Sequence, residues 1–157
     1  MAYEQTFDDV VTGNAADATI ETLNTYLRGE LSAVETYRQA VEKVEDEFLR
    51  TSLYELSMSH EQRVTLLRAR IESLGGEPAK SSGVWGGFAK VVEGGAKVFG
   101  VKAALAALEE GEDHGLKMYR DDLDDKDATL QAFVLNELLP EQQRSHDEMS
   151  NLKHSVH

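Results

Sequence analysis

The chain contains no cysteine. That excludes a disulfide framework, a thiolate metal site and a cysteine nucleophile. Only two of its 157 residues are proline, so few positions interrupt a helix. Basic residues are the scarcer charge: 16 Lys and Arg stand against 29 Asp and Glu, for a formal net charge of −13. Nucleic acid is therefore excluded as an expected partner, because its phosphates would meet a surface of their own sign. No apolar run approaches the roughly 20 residues of a membrane span, so a membrane partner is not expected either. No basic stretch followed by an apolar one opens the chain, which points to a cytoplasmic protein. The glycines between Gly75 and Gly100 lack a following Lys-Ser/Thr, which excludes a phosphate-binding P-loop. The acidic runs Glu45–Glu47 and Asp121–Asp127 lack the EF-hand spacing and read as solvated helix ends.

What is present favours helix. Hydrophobic residues make up 41% of the chain, and Ala, Leu, Glu and Lys abound. The length suits one domain with a real core. Residues 1–15 read as an irregular arm and 16–154 as a single all-α domain. Apolar residues at helical spacing place helices over 16–44, 47–74, 97–124 and 128–153. Asp17 is expected to cap the first helix and Asp127 the fourth. Gly75, Gly76 and Pro78 supply the Gly-then-Pro stop of the second. The connection from Gly75 to Ala96 is long, and Trp85, Phe88 and Val92 space a short helix inside 84–93. Short, long and short connections make a four-helix bundle with a crossover between helices 2 and 3.

Within this bundle, four residues interrupt apolar seams. Glu30 falls between Leu27 and Val34, and His60 between Leu56 and Val64. Glu112 falls between Leu108 and Tyr119, and His146 beside Met149. A charge in a core seam is costly unless it is paired or bound to a metal. One such residue in each of four helices points to a polar site near mid-bundle. The halves also repeat. The offset that carries Gly29-Glu30 onto Gly111-Glu112 carries Tyr37-Arg38 onto Tyr119-Arg120 and Glu55-Leu56 onto Glu137-Leu138. Matching Ser59-His60 to Ser145-His146 then requires an insertion of about one helical turn around Leu139–Gln142. Pro140 is expected to disturb the helix there. Gly111 and Gly115 flank Glu112 and mean either close helix approach or room for a small ligand. Tyr37 and Tyr119 are placed to hydrogen-bond carboxylates across the bundle or to tune a bound metal.

The pattern Glu30-x-x-Ala33-x-x-x-Tyr37 resembles the first-helix metal motif of ferritins and rubrerythrins, and Gly29-Glu30 strengthens the likeness to rubrerythrin. Glu112-x-x-Gly115-x-x-x-Tyr119 resembles the third-helix counterpart, with Gly in place of Ala. From Ala15 onward, including Leu74-Gly-Gly-Glu-Pro78, the chain is similar to a bacterial ferritin-like family classed as a domain of unknown function. The resemblance implies a ferritin-like four-helix bundle with Glu30, His60, Glu112 and His146 as its metal-site residues. It also implies a departure. The di-iron members carry Glu-x-x-His on helices 2 and 4, whereas Ser57 and Gln143 stand three residues before His60 and His146.

Three readings follow. One transition metal ion (Fe, Mn or Zn) is held by Glu30, His60, Glu112 and His146. Alternatively, the four form hydrogen-bonded Glu–His pairs in a core without a cofactor. In the third, a two-metal site recruits Glu55, Glu110, Glu141 or His114. The expected function is that of a ferritin-like protein with a degenerate Glu/His site and a structural, stress-related or protein-binding role. The alternative is a metal-dependent oxidoreductase or metal-binding protein. A homodimer is expected, with Tyr26, Phe48 and Tyr54 as candidate contacts.

Overall fold

The computed structural model describes residues 8–83 and 100–156. Every regular element among them is helical. α1 spans Asp8–Lys43, α2 Glu47–Ser73 and α3 Val101–Arg120. A 3-10 turn, Leu123–Asp125, leads into the fourth helix of the bundle. That helix comprises α4 (Ala128–Phe133), a π turn (Val134–Leu138) and α5 (Leu139–Ser155). The short helix expected inside 84–93 lies outside the described residues.

The helix boundaries have local causes. The Asp46 carboxylate accepts from the Leu49 N–H at 2.8 Å and caps α2. Asp127 caps α4 by accepting from Thr129 N and Leu130 N, both at 3.0 Å. α2 stops where Gly75 takes a positive φ of 80°. There the Gly76 N–H reaches back to the Ile71 carbonyl at 2.9 Å, the Schellman arrangement. One boundary differs from expectation: α1 starts at Asp8, so the residues from Asp8 to Ala15 are helical and not part of an irregular arm, and Asp17 lies inside the helix rather than capping it. Ala15, Ala16 and Ala18 favour continuation, which outweighs the capping tendency of Asp17.

α1 packs along α2, and α3 along α5. Two apolar clusters fill the bundle. One joins Leu23 and Leu27 of α1, Leu67 and Ile71 of α2, Tyr119 of α3, and Leu130 and Phe133 of α4. The other joins Ala40 of α1, Val44 just after it, Leu49 and Leu53 of α2, Leu105 of α3, and Met149 and Leu152 of α5. α2 therefore ends in the first cluster, while α3 begins in the second. The two helices therefore run in the same direction. A layer of buried polar residues separates the two clusters.

The repeat is realised differently from the one-turn insertion. Leu130, Phe133 and Val134 are buried in the order of Leu49, Ser52 and Leu53. From the end of the π turn onward, Leu138, Gln142, Ser145 and Met149 are buried in the order of Leu56, His60, Arg63 and Leu67. The shift between these two registers is one residue, which is what a π turn adds to an α-helix. Its wide turn closes through the Leu139 N–H to the Val134 carbonyl. Pro140 follows at once and has no N–H with which to continue the α-helical ladder. Gln142, not His146, thus takes the position equivalent to His60.

Candidate functional site

The polar layer is built around two carboxylates. Glu30 on α1 is 2% exposed and Glu112 on α3 is 1% exposed. His60 on α2 lies between them, its Nδ1 2.6 Å from Glu30 Oε2 and its Nε2 2.9 Å from Glu112 Oε1. A carboxylate at each ring nitrogen is matched by an imidazolium, which donates from both. The two tyrosines are exchanged between the helices. Tyr37 of α1 donates to Glu112 Oε1 at 2.6 Å, and Tyr119 of α3 donates to Glu30 Oε1 at 2.5 Å. Each tyrosine lies about two helical turns beyond the carboxylate of its own helix. The reciprocal bonds therefore fix α1 and α3 as antiparallel and hold their register. The Tyr37 ring also stacks on His60, with centroids 5.2 Å apart.

The sequence reading missed the residue that completes this layer. Arg63 is fully buried. Its Nε donates to Glu30 Oε1 at 2.8 Å and its Nη1 to Ser59 Oγ at 3.0 Å. Its Nη2 lies 2.7 Å from His60 Nδ1 and donates to Ser145 Oγ at 3.4 Å. The signal was present in the spacing: Leu56, His60, Arg63, Leu67 and Ile71 form one unbroken seam. On the other side, Gln142 Nε2 donates to Glu112 Oε2 at 2.6 Å and to the Glu112 carbonyl at 3.1 Å. Ser145 Oγ donates to the same carboxylate oxygen at 2.8 Å.

His146 does not join the other three expected residues. It is partly exposed, with Nε2 2.7 Å from Asp113 Oδ1 and Nδ1 3.2 Å from Asp147 Oδ1. The seam residue nearest Met149 is Ser145, one turn earlier by the four-residue step rather than the three-residue step. The short hydroxyl fits the core, and the larger imidazole turns outward to carboxylates. Glu55, Glu110 and His114 are exposed, and Glu141 pairs with Arg144 at 2.8 Å. None of the three glutamates joins the polar layer, whereas His114 lines the cavity beside it. Tyr26 is also corrected: it is 3% exposed and packs edge-on against Tyr119, with centroids 5.0 Å apart. It lies three residues after Leu23 and four before Glu30, within the seam, and cannot be a surface contact.

Electrostatics follow from this geometry. Burial raises the Glu30 pKa, but Arg63, His60 and the Tyr119 hydroxyl outweigh it and hold the carboxyl down at about 2. Glu112 is likewise lowered, with burial outweighed by His60 and by donors from Tyr37 and Ser145. Burial and the Arg63 guanidinium act to lower the His60 pKa, but Glu112 and Glu30 together raise it. Burial keeps both Tyr37 and Tyr119 neutral as donors, their pKa values raised well above the usual phenol range. With His60 protonated, the form its raised pKa favours, two carboxylates face two cations in a charge-balanced layer.

This donor set does not fit a metal ion. Each carboxylate oxygen already accepts a hydrogen bond, both His60 nitrogens face carboxylates, and a guanidinium stands where a second cation would be repelled. Among the described residues, no three His, Asp or Glu side chains are arranged to hold an ion.

Small residues open a cavity of about 60 Å³ between α1 and α3, directly over this layer. Gly115 has a further role beside it. A Cβ there would lie 2.5 Å from Gln142 Nε2 and 2.8 Å from its Cδ. Gln142 is 1% exposed, so it can yield only by leaving Glu112. Gly115→Ala is therefore expected to destabilise by about 1–3 kcal/mol, despite a helix-propensity gain of about 1 kcal/mol. Urea unfolding should also show that the same change becomes neutral or stabilising in a Gln142→Ala background. Equal losses in both backgrounds would show that the contact with Gln142 is not the cause.

No curated protein and no solved structure matches the chain. A family model described as Domain of unknown function (DUF2383) matches residues 18–125. The matched span includes Glu30, Tyr37, His60, Arg63, Glu112 and Tyr119, and ends before the helix that supplies Gln142 and Ser145.

Proposed function

The chain belongs to that family of unknown function, and on this premise we propose that it is a ferritin-like four-helix bundle whose charged core is self-neutralised rather than metal-loaded. Its role is structural or protein-binding, and it acts through its surface. One observation carries this reading: Arg63, fully buried, supplies to Glu30 the positive charge that a metal ion would otherwise provide. A guanidinium donates in a fixed plane and cannot be deprotonated, so it fills that place permanently.

The surface supports a protein-binding role. Phe48, Tyr54, Met58 and Leu66 of α2 are 68%, 56%, 39% and 36% exposed. Tyr54, Met58 and Leu66 recur at helical spacing on the outward side of α2. We assign this stripe to a homodimer contact. Among the described residues, no helix is long and apolar enough to cross a membrane.

Metal analysis and light scattering on one sample, purified without chelator, test the proposal. The expected result is far less than one metal per chain and a mass of two chains that falls to one in Tyr54→Glu. One or more tightly held transition metals per chain, lost in Glu30→Gln, would replace this reading with the metal-dependent one. A monomeric mass at micromolar concentration would remove the dimer.

A further inference from the structure

The cavity over the polar layer is not accounted for by the network beneath it. Among the described residues its walls include Gly29 and Ala33 of α1 and Leu108, Gly111 and Gly115 of α3, with the polar Ser32, Thr36 and His114 beside them. Its floor is Glu30, Tyr37, His60 and Glu112. A hydrocarbon-lined cavity of about 150 Å³ holds the six heavy atoms of benzene, so about 60 Å³ encloses two or three heavy atoms of a ligand whose remainder lies at the cavity's open side. Three of the four carboxylate oxygens beneath it each accept from two donors. Glu30 Oε2 accepts from His60 and retains capacity for a second donor, since a carboxylate oxygen has two acceptor sites. Of the two carboxylates in the floor, both face His60, and Glu30 is also paired with Arg63, which lies outside the cavity lining. An anionic ligand would meet Glu30 and Glu112, and a cationic one would meet the protonated His60, with Arg63 already paired to Glu30 behind it. Neither would find an uncompensated opposite charge.

We propose that this cavity binds a small uncharged molecule with an N–H or O–H donor at one end and a methyl-sized apolar group at the other. The donor end engages Glu30, and the apolar end lies against Ala33 and Leu108. Primary amides of the size of acetamide are the simplest members of the class. This deepens the self-neutralised reading and rests on it, because a bound metal would change the charge of the floor. Metal content and ligand binding are separate measurements, so failure of one is distinguishable from failure of the other.

Three isosteric probes test the proposal: acetamide, acetate and acetamidinium share a shape and differ in charge. Each is titrated into the full chain at constant ionic strength and followed by amide NMR. Acetamide is expected to give saturable shifts centred on Gly29, Ala33, Gly111 and Gly115, with a Kd on the order of 1–10 mM, as befits so few atoms. Acetate and acetamidinium should bind at least tenfold more weakly. Ala33→Leu, which places bulk in the cavity without touching the charged residues, should abolish the acetamide shifts. Shifts that stay linear in acetamide concentration, or that persist in Ala33→Leu, would overturn the site. Equal or tighter binding of either charged probe would overturn the ligand class, and that comparison needs only the native chain.

Discussion

Replacing Arg63 with alanine is expected to destabilise the protein by about 3–5 kcal/mol, the usual loss when one member of a buried ion pair is removed. The geometry explains why the loss is large. Arg63 donates to Glu30, Ser59 and Ser145 at once. Without it, two carboxylates remain buried with one imidazolium between them. Urea unfolding measures the effect. Arg63→Lys should recover little, because an ammonium cannot span three acceptors in a fixed plane. In contrast, adding Glu30→Gln to Arg63→Ala should return part of the loss, since the uncompensated charge is then gone. An Arg63→Ala protein within about 1 kcal/mol of the native chain would show that the guanidinium is not the counter-ion of the core.

Stability should also peak in a mildly acidic window. Glu30 falls from an ordinary value of 4.5 to about 2, and Glu112 is lowered too. Carboxyls lowered by folding contribute stability that is present above their unfolded value and lost as pH falls through the folded one. His60 behaves in the opposite sense. Its folded pKa is raised above 6.5, so its contribution is complete below that value and is lost as pH rises through the folded pKa. Both contributions are full between the two ordinary values, 4.5 and 6.5. Each pKa unit of displacement is worth about 1.4 kcal/mol. Calorimetry across the pH range should give a Tm that declines on both sides of this window. His146 is raised as well, with burial outweighed by its bonds to Asp147 and Asp113, and it acts in the same direction as His60. His60→Gln separates the two and should flatten most of the alkaline decline. A native Tm that is constant from about pH 6 to 9 would contradict a raised His60.

The site was legible in the sequence wherever a charge broke an apolar seam that had one reading. Glu30, His60 and Glu112 each sit between apolar neighbours at helical spacing, and all three are buried together. The tyrosine bonds across the bundle were legible for the same reason. Arg63 was hidden by its chemistry. An arginine on a helix ordinarily reaches for solvent along its aliphatic stem, so its seam position carried less weight than that of a carboxylate. His146 failed through degeneracy: steps of three and four residues from Met149 both reach the same face, and Ser145 fits it. The like direction of α2 and α3 was legible from the connection lengths. The one-residue shift at Val134–Leu138 was not, because a π turn leaves no composition of its own. The helical start at Asp8 was concealed by the polar character of that stretch.

The two cations of the core both belong to α2, and that placement dictates which halves can associate. The first hairpin contributes Glu30, His60 and Arg63, while the second contributes Glu112 with the neutral donors Gln142 and Ser145. With His60 protonated, one half carries an excess positive charge into the interface and the other an excess negative charge. Two first hairpins placed together would bury four cations against two carboxylates, and two second hairpins would bury two carboxylates with no cation at all. Like halves repel and unlike halves attract. A bundle assembled from two similar hairpins thereby disfavours the pairing of like halves, and each first hairpin is left with a second hairpin as its correct mate.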